Sequence, residues 1–166
     1  MKTHPAAREA HDHALAMIRT GAPRREVLTF LATTAERITG PRHAASILVL
    51  DENGLLRNGA SPNIPADYLD AIDRLKPRAD LGTCASAAAT GQFVLTRDFT
   101  ADEKWAELRH LPLSLGYVGA WSTPIKDPAG RVLGTFGIYC RDPADPTEEQ
   151  RAAMALLAHA AAESIG

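Results

Sequence analysis

Cysteine is scarce in this chain of 166 residues: Cys84 and Cys140 are the whole supply, and neither sits in a Cys-x-x-Cys pair. Two thiols cannot build a disulfide framework, and in a reducing compartment both stay reduced. An excess of either charge is also lacking. With 18 Lys plus Arg against 20 Asp plus Glu, the formal charge is -2, which leaves no basic stripe for nucleic acid and no polybasic patch for a membrane. No apolar run approaches the roughly 20 residues of a membrane span. The first turns carry Lys2, His4, Arg8, Glu9 and Asp12 where a signal peptide would have its apolar region, so a cytoplasmic location is expected. The histidines offer no metal set: His11 and His13 are two apart, on different faces of a helix, and His43, His110 and His159 are scattered. No cofactor is expected.

What is present suits one globular domain over residues 1–166, because 45% of the residues are hydrophobic and the chain is long enough to bury a core. Ala7, Ala10, Ala14 and Ile18 form one helical stripe, Gly21 and Pro23 break it, and Val27, Phe30, Leu31, Ala35 and Ile38 form a second, ended by Gly40-Pro41. The apolar run from His43 to Leu50, the turn Asp51-Glu52-Asn53-Gly54 and Leu55-Leu56 predict a β-hairpin. A short helix is predicted around Tyr68, Ile72 and Leu75, and a short strand over Phe93 to Thr96. Thr100 and Glu103 have capping-box spacing ahead of a helix carrying Trp105 and Leu108, and Asp98 suits the turn before it. Tyr117 to Ile125 and Val132 to Tyr139 flank the turn Asp127-Pro128-Ala129-Gly130, a second hairpin. Asp145 and Pro146 suit the start of a last, alanine-rich helix that buries Ala153, Leu156, Leu157, Ala160 and Ser164. Hairpin connections favour an antiparallel sheet, hence an α+β domain, and the long excursion between the hairpins is where a pocket would form.

The stretch most suggestive of function is Leu81-Gly82-Thr83-Cys84-Ala85-Ser86-Ala87-Ala88-Ala89-Thr90-Gly91. A glycine and a capping threonine open a helix of small residues there, so backbone N–H groups stand where a polar ligand could approach. Close packing of an ordinary capped helix on a sheet would use the same residues.

The motifs Gly82-Thr83-Cys84-Ala85-x-Ala87-Ala88-x-x-Gly91, Val94-x-x-x-Asp98, Trp105, Trp121-Ser122-Thr123-Pro124-Ile125 and Gly130-x-Val132-Leu133-Gly134-Thr135-Phe136, in that order, resemble the GAF domain of bacterial signalling proteins. The resemblance covers residues 24 to 165, and it leaves residues 1–22 as an N-terminal helix that could serve dimerisation. It implies a central antiparallel sheet of roughly five to six strands, terminal helices on one face and a pocket on the other, roofed by the Gly82 helix. Two departures stand out. Ala85 replaces a glycine frequent after the motif cysteine, and Val118-Gly119-Ala120 replaces a frequent Arg-Ala-Cys, which removes a side-chain cation from the pocket.

From the resemblance, the expected function is a non-catalytic sensor of a compact polar or anionic molecule, nitrate being one candidate. Its expected ligand-binding residues are Gly82, Thr83, Cys84 and Ala85, with Trp105 and Trp121 as walls and Ser122 and Tyr139 as hydrogen-bond partners. Its signal is expected to pass to a kinase, cyclase or regulator, either in another protein or in a longer chain from which this module was cut. One alternative is a free methionine sulfoxide reductase, whose chemistry needs a thiolate and resolving thiols; Cys84 suits the first role, but Ala120 stands where that family places further cysteines. Another is a ligand-free dimerisation module pairing through the first and last helices. Bilin and haem lack a residue that announces them, and a cyclic nucleotide would find a phosphate partner only at the Gly82 helix start.

Overall fold

In the computed structural model, which describes residues 4–143 and 145–166, two long helices open the chain: α1 (Pro5–Arg19) and α2 (Arg24–Thr39). The start of the expected N-terminal segment, including Lys2, lies outside the described residues. Gly21, at φ +86°, makes the break between the two helices, and Pro23 precedes the first residue of α2. The hairpin β1 (His43–Leu50) and β2 (Leu56–Ala60) follows, turned by Asp51, whose carboxylate accepts from the Asn53 and Leu55 amides. The excursion contains α3 (Ala66–Ala71), α4 (Cys84–Thr90), β3 (Val94–Thr96), a 3-10 turn (Glu103–Trp105) and α5 (His110–Ser114). The second hairpin, β4 (Gly119–Lys126) and β5 (Val132–Cys140), leads to α6 (Glu148–Ile165).

The five strands form one antiparallel sheet in the order β2-β1-β5-β4-β3. Helices α1, α2 and α6 pack on one another and cover one face. Between helices and sheet lie Leu28, Leu31, Ile47, Phe136, Ile138 and Leu157, all essentially without exposure. Each contributes about 1.5–3 kcal/mol by leaving water, which makes this layer the main source of stability. Across α1 and α6, the buried His11 shares a 2.9 Å hydrogen bond with His159, and its other ring nitrogen lies 3.0 Å from Asp12. The excursion covers the opposite face with two smaller apolar clusters. No helix among the described residues is long and apolar enough to cross a membrane.

Two helix starts differ from expectation for the same reason: the residue offered as cap had a better partner. Asp145 pairs with Arg97, 2.7 Å from its Nε, and α6 is instead capped by Thr147, which forms a reciprocal capping box with Gln150. Thr100 donates its hydroxyl and amide to Asp98, so the 3-10 turn is capped by Asp102, whose carboxylate accepts from the Lys104 amide at 3.0 Å. Leu75 is not helical either. It bridges to Leu56 at the start of β2, extending the sheet edge by one residue pair.

Candidate functional site

Strand register decides which residues face the excursion. Ala44, Tyr139, Ala120 and Thr96 form one row across β1, β5, β4 and β3; Ser46, Gly137, Ser122 and Val94 form the next; Leu48, Thr135 and Pro124 form a third. The rows between them, such as Ala45, Ile138, Trp121 and Leu95, point to the terminal helices, because successive side chains on a strand alternate. The floor beneath the excursion is therefore mostly small or hydroxyl-bearing, together with Leu48, Val94, Pro124 and one large ring, Tyr139.

Helix α4 lies directly on that floor. Gly82, at φ +67°, turns the chain into it and donates its amide to the Lys104 carbonyl at 2.7 Å, and Gly91, also at φ +67°, ends it by donating to the Ala87 carbonyl at 2.9 Å. Thr83 does not cap the helix. Its hydroxyl accepts from Trp105 Nε1 at 2.9 Å and shares a 2.8 Å hydrogen bond with Thr96, so a predicted cap is instead a strut tying α4 to β3 and to the 3-10 turn. The small residues of α4 serve close packing: a Cβ added at Gly137 would come 2.9 Å from the Cys84 sulfur. Ala85 and Ala87 are fully buried.

Around α4 the space fills with rings. Tyr68, Phe99, Trp105, Tyr117 and Tyr139 are all buried and belong to one cluster. Phe99 meets Trp105 edge-on with centroids 4.4 Å apart, and Tyr68 meets Tyr139 edge-on at 5.6 Å. The Tyr68 hydroxyl donates to that of Tyr139 at 2.8 Å. Burial drives both phenols well above their ordinary titration range, so they stay neutral and serve only as hydrogen-bonding groups.

Two polar groups on the floor stand apart from this satisfied network. The hydroxyls of Ser122 and Thr135 are buried, and neither has a hydrogen-bond partner among the described residues. Both face the Cys84 sulfur, near enough to oppose the larger upward push of burial on its thiol, but neither meets the geometry of a hydrogen bond to it, so at most a weak S–H or S contact serves them. Leaving a buried hydroxyl unpaired costs about 1–3 kcal/mol, so two adjacent ones mark a place suited to a hydrogen-bonding guest.

Of the sequence-predicted residues, Gly82, Thr83, Cys84, Ala85, Trp105, Ser122 and Tyr139 converge on this face. Trp121 does not. It packs among the terminal helices, 2% exposed, with its ring 5.9 Å from Phe93, because it neighbours Ser122 on a strand and must point the other way. Tyr68, Thr96, Phe99, Tyr117 and Thr135 escaped the sequence reading. Strand alternation would have found Thr96 and Thr135 once Tyr139 was placed, whereas Tyr68 and Tyr117 arrive from segments without a long period.

This architecture decides the family. The GAF domain family profile matches residues 21–165. The chain belongs to the GAF domain family. It is 32% identical over 142 residues to a methyl sulfide methyltransferase-associated sensor of Methanosarcina acetivorans, an alignment covering 85% of this chain. The chain spans 14% of the length of that relative. Among solved structures, it resembles the GAF domain of a phosphoenolpyruvate-protein phosphotransferase from Coxiella burnetii, with a TM-score of 0.75, 16% identity, and 98% of this chain and 95% of that one covered. It also resembles the type II free methionine-R-sulfoxide reductase of Thermoplasma acidophilum, with a TM-score of 0.69, 16% identity, and coverage of 86% and 92%. At these identities the two structures share the GAF fold, and fold alone assigns no chemistry.

The chemistry open to this GAF domain follows from its titratable groups. The Cys140 thiol is pushed up to about 12, chiefly by burial, and lies on the helix side of the sheet, while Cys84 lies on the excursion side. The sheet separates the two sulfurs, and burial keeps each in its un-ionised, weakly nucleophilic form. Among the described residues no group of three or more His, Cys, Asp or Glu is placed to hold a metal ion. Lys104 is paired with Asp102 at 2.8 Å, an Arg109 guanidinium N–H donates to the Thr100 carbonyl at 2.7 Å, and Arg141, over the Tyr117 ring, donates to the Leu115 carbonyl at 2.7 Å, so these nearby cations already have partners.

Proposed function

We propose that this GAF domain is a non-catalytic sensor that binds a compact polar or singly charged molecule between α4 and the β4–β5 floor. The observation that carries the reading is the pair of buried hydroxyls without an ordinary hydrogen bond, Ser122 and Thr135, beneath Cys84 and beside the packed rings of Tyr139 and Trp105. Such a guest takes hydrogen bonds from Ser122, Thr135 and Tyr139, packs against Trp105, and displaces the Cys84 side chain by lifting α4 at Gly82 and Gly91. Polyphosphates and nucleotides fit poorly, because the neighbouring cations are already engaged and burying several uncompensated charges is costly. Nitrate, planar and singly charged, remains a candidate. Lifting α4 moves Thr83, and with it the 3-10 turn, giving the binding event a mechanical output toward a kinase, cyclase or regulator; a homodimer built on α1 and α6 would carry it further.

The buried, protonated thiols speak against reductase activity. A thermal-shift and titration screen with nitrate and other small anions, amino acids and nucleotides tests the reading, since a ligand specific to the folded state raises its midpoint. A compact hit whose affinity falls in Ser122→Ala and in Thr135→Val, with folding intact by circular dichroism, is the expected result. Stabilisation by no compound in the screen, or equal affinity in both variants, overturns the assignment.

A further inference from the structure

A polar concavity lies at the edge of the sheet, away from the packed α4 site. It is a groove of about 640 Å³ between the first two turns of α2, strand β2 and the β2–α3 loop. Arg24, Arg25 and Thr29 border it on the helix side, and Asn58 and Ser61 on the strand side, while Leu28, Pro62 and Leu69 supply apolar wall. Among the described residues no carboxylate lines it. Neither arginine forms an ion pair among the described residues, in contrast to Arg42, Arg57, Arg78 and Arg97, each of which holds an aspartate.

The strand side presents a donor as well. The Ser61 hydroxyl donates to Asn58 Oδ1 at 2.7 Å and is held from behind by Ser46 at 2.8 Å. With its oxygen engaged, Asn58 has its amide N–H groups left to offer. β2 has no strand on its outer side, and a bulge at Gly59 sets its backbone close under α2: an added Cβ there would lie 3.0 Å from both Leu28 and Val49 side-chain carbons. The groove thus combines two guanidinium forks, a hydroxyl and a carboxamide with an apolar wall. Adjacent unpaired cations repel, and an oxyanion between them replaces that repulsion with charge-assisted bonds.

We propose that this groove binds a small organic oxyanion, a carboxylate or phosphate group carried on an apolar body, with Arg24 and Arg25 gripping the oxygens and Pro62 and Leu69 covering the body. The site is separate from the α4 site and does not rest on the sensor reading. Its volume exceeds what an inorganic ion needs and lies within the range of small-molecule pockets.

The test is a two-dimensional amide NMR titration of the whole chain at physiological ionic strength with phenyl phosphate, benzoate, inorganic phosphate and phenol. Saturable shifts confined to the amides of residues 24–29 and 58–61 are expected with phenyl phosphate or benzoate, and whichever binds tighter names the head group. The exposed double substitution Arg24→Gln with Arg25→Gln should weaken that binding about tenfold or more, with the remaining spectrum unchanged. Four results overturn the proposal: no saturable shift up to about 10 mM of either aromatic anion, a millimolar limit for useful affinity; equal binding by the double variant; equal binding by inorganic phosphate, which would reduce the groove to a surface ion effect; or equal binding by phenol. Because the reporter amides lie outside the α4 site, failure here leaves the sensor reading standing, and the reverse also holds.

Discussion

A methyl group placed at Gly137 should drive α4 off the sheet, and removing one sulfur atom should cancel the damage. The added Cβ would meet Cys84 Sγ at 2.9 Å, while the other near atoms, the Ser46 and Trp121 carbonyl oxygens, stay at 3.6 and 3.9 Å, ordinary contact distances. The sulfur is therefore the single obstacle. Overpacking of this kind costs about 1–3 kcal/mol, so Gly137→Ala alone should destabilise by about that amount. Cys84→Ala alone should cost about 1 kcal/mol for a small buried hydrophobe, offset in part because Ser122 and Thr135 gain room for water. In the Cys84→Ala background the sign of Gly137→Ala should reverse: a strand glycine loses more backbone entropy on folding than alanine, so the methyl should then stabilise by about 0.5–1 kcal/mol. The coupling between the two positions is about 1.5–4 kcal/mol on these figures, well above what distant sites show. Urea unfolding of the four proteins, with slopes checked for two-state behaviour, measures it. Additivity within about 0.5 kcal/mol would refute direct packing of Cys84 on Gly137, and with it the mechanism by which a guest raises α4.

Two further perturbations separate the layers of the molecule. Trp121→Ala should destabilise by about 3–5 kcal/mol, because it empties the layer shared with the terminal helices; unchanged stability in denaturant melts would show the ring to be peripheral. Alkaline pH should also unfold the domain. The thiols of Cys84 and Cys140 titrate higher in the folded chain than in the unfolded one, so their contribution is complete below about pH 9 and lost as pH rises toward the folded values. For Cys140, raised from 9.0 to about 12, the full loss is about 4 kcal/mol, and Tyr68 and Tyr139 steepen the fall in the same direction. Unfolding free energies equal at pH 8 and pH 10.5 would contradict this, and Cys140→Ala should flatten the slope.

The fold was legible in the sequence wherever one periodicity ran uninterrupted. The stripe of Val27, Leu31 and Ala35 and the two hairpin turns placed α2 and four of the strands, because burial on one side of a helix or sheet leaves that mark in the residues themselves. Helix starts were legible only in part. Asp145 and Thr100 are sound caps in isolation, but Arg97, 48 residues from the first, and Asp98, two from the second, bound them more strongly. The excursion was hardest to read, since Tyr68, Phe99 and Tyr117 owe their meeting to tertiary contacts that no local pattern records.

The misplacement of Trp121 bears directly on how this domain would sense. Trp121 and Ser122 are neighbours on β4, so one cannot move without the other, yet they face opposite layers: Ser122 the α4 site, Trp121 the terminal helices and Phe93, whose ring in turn lies under the Arg151 guanidinium of α6 at 3.9 Å. On the proposed reading, a shift of β4 imposed at Ser122 would reach α6 through Trp121 and Phe93, because the alternation of side chains along a single strand links the two layers that the sheet otherwise separates.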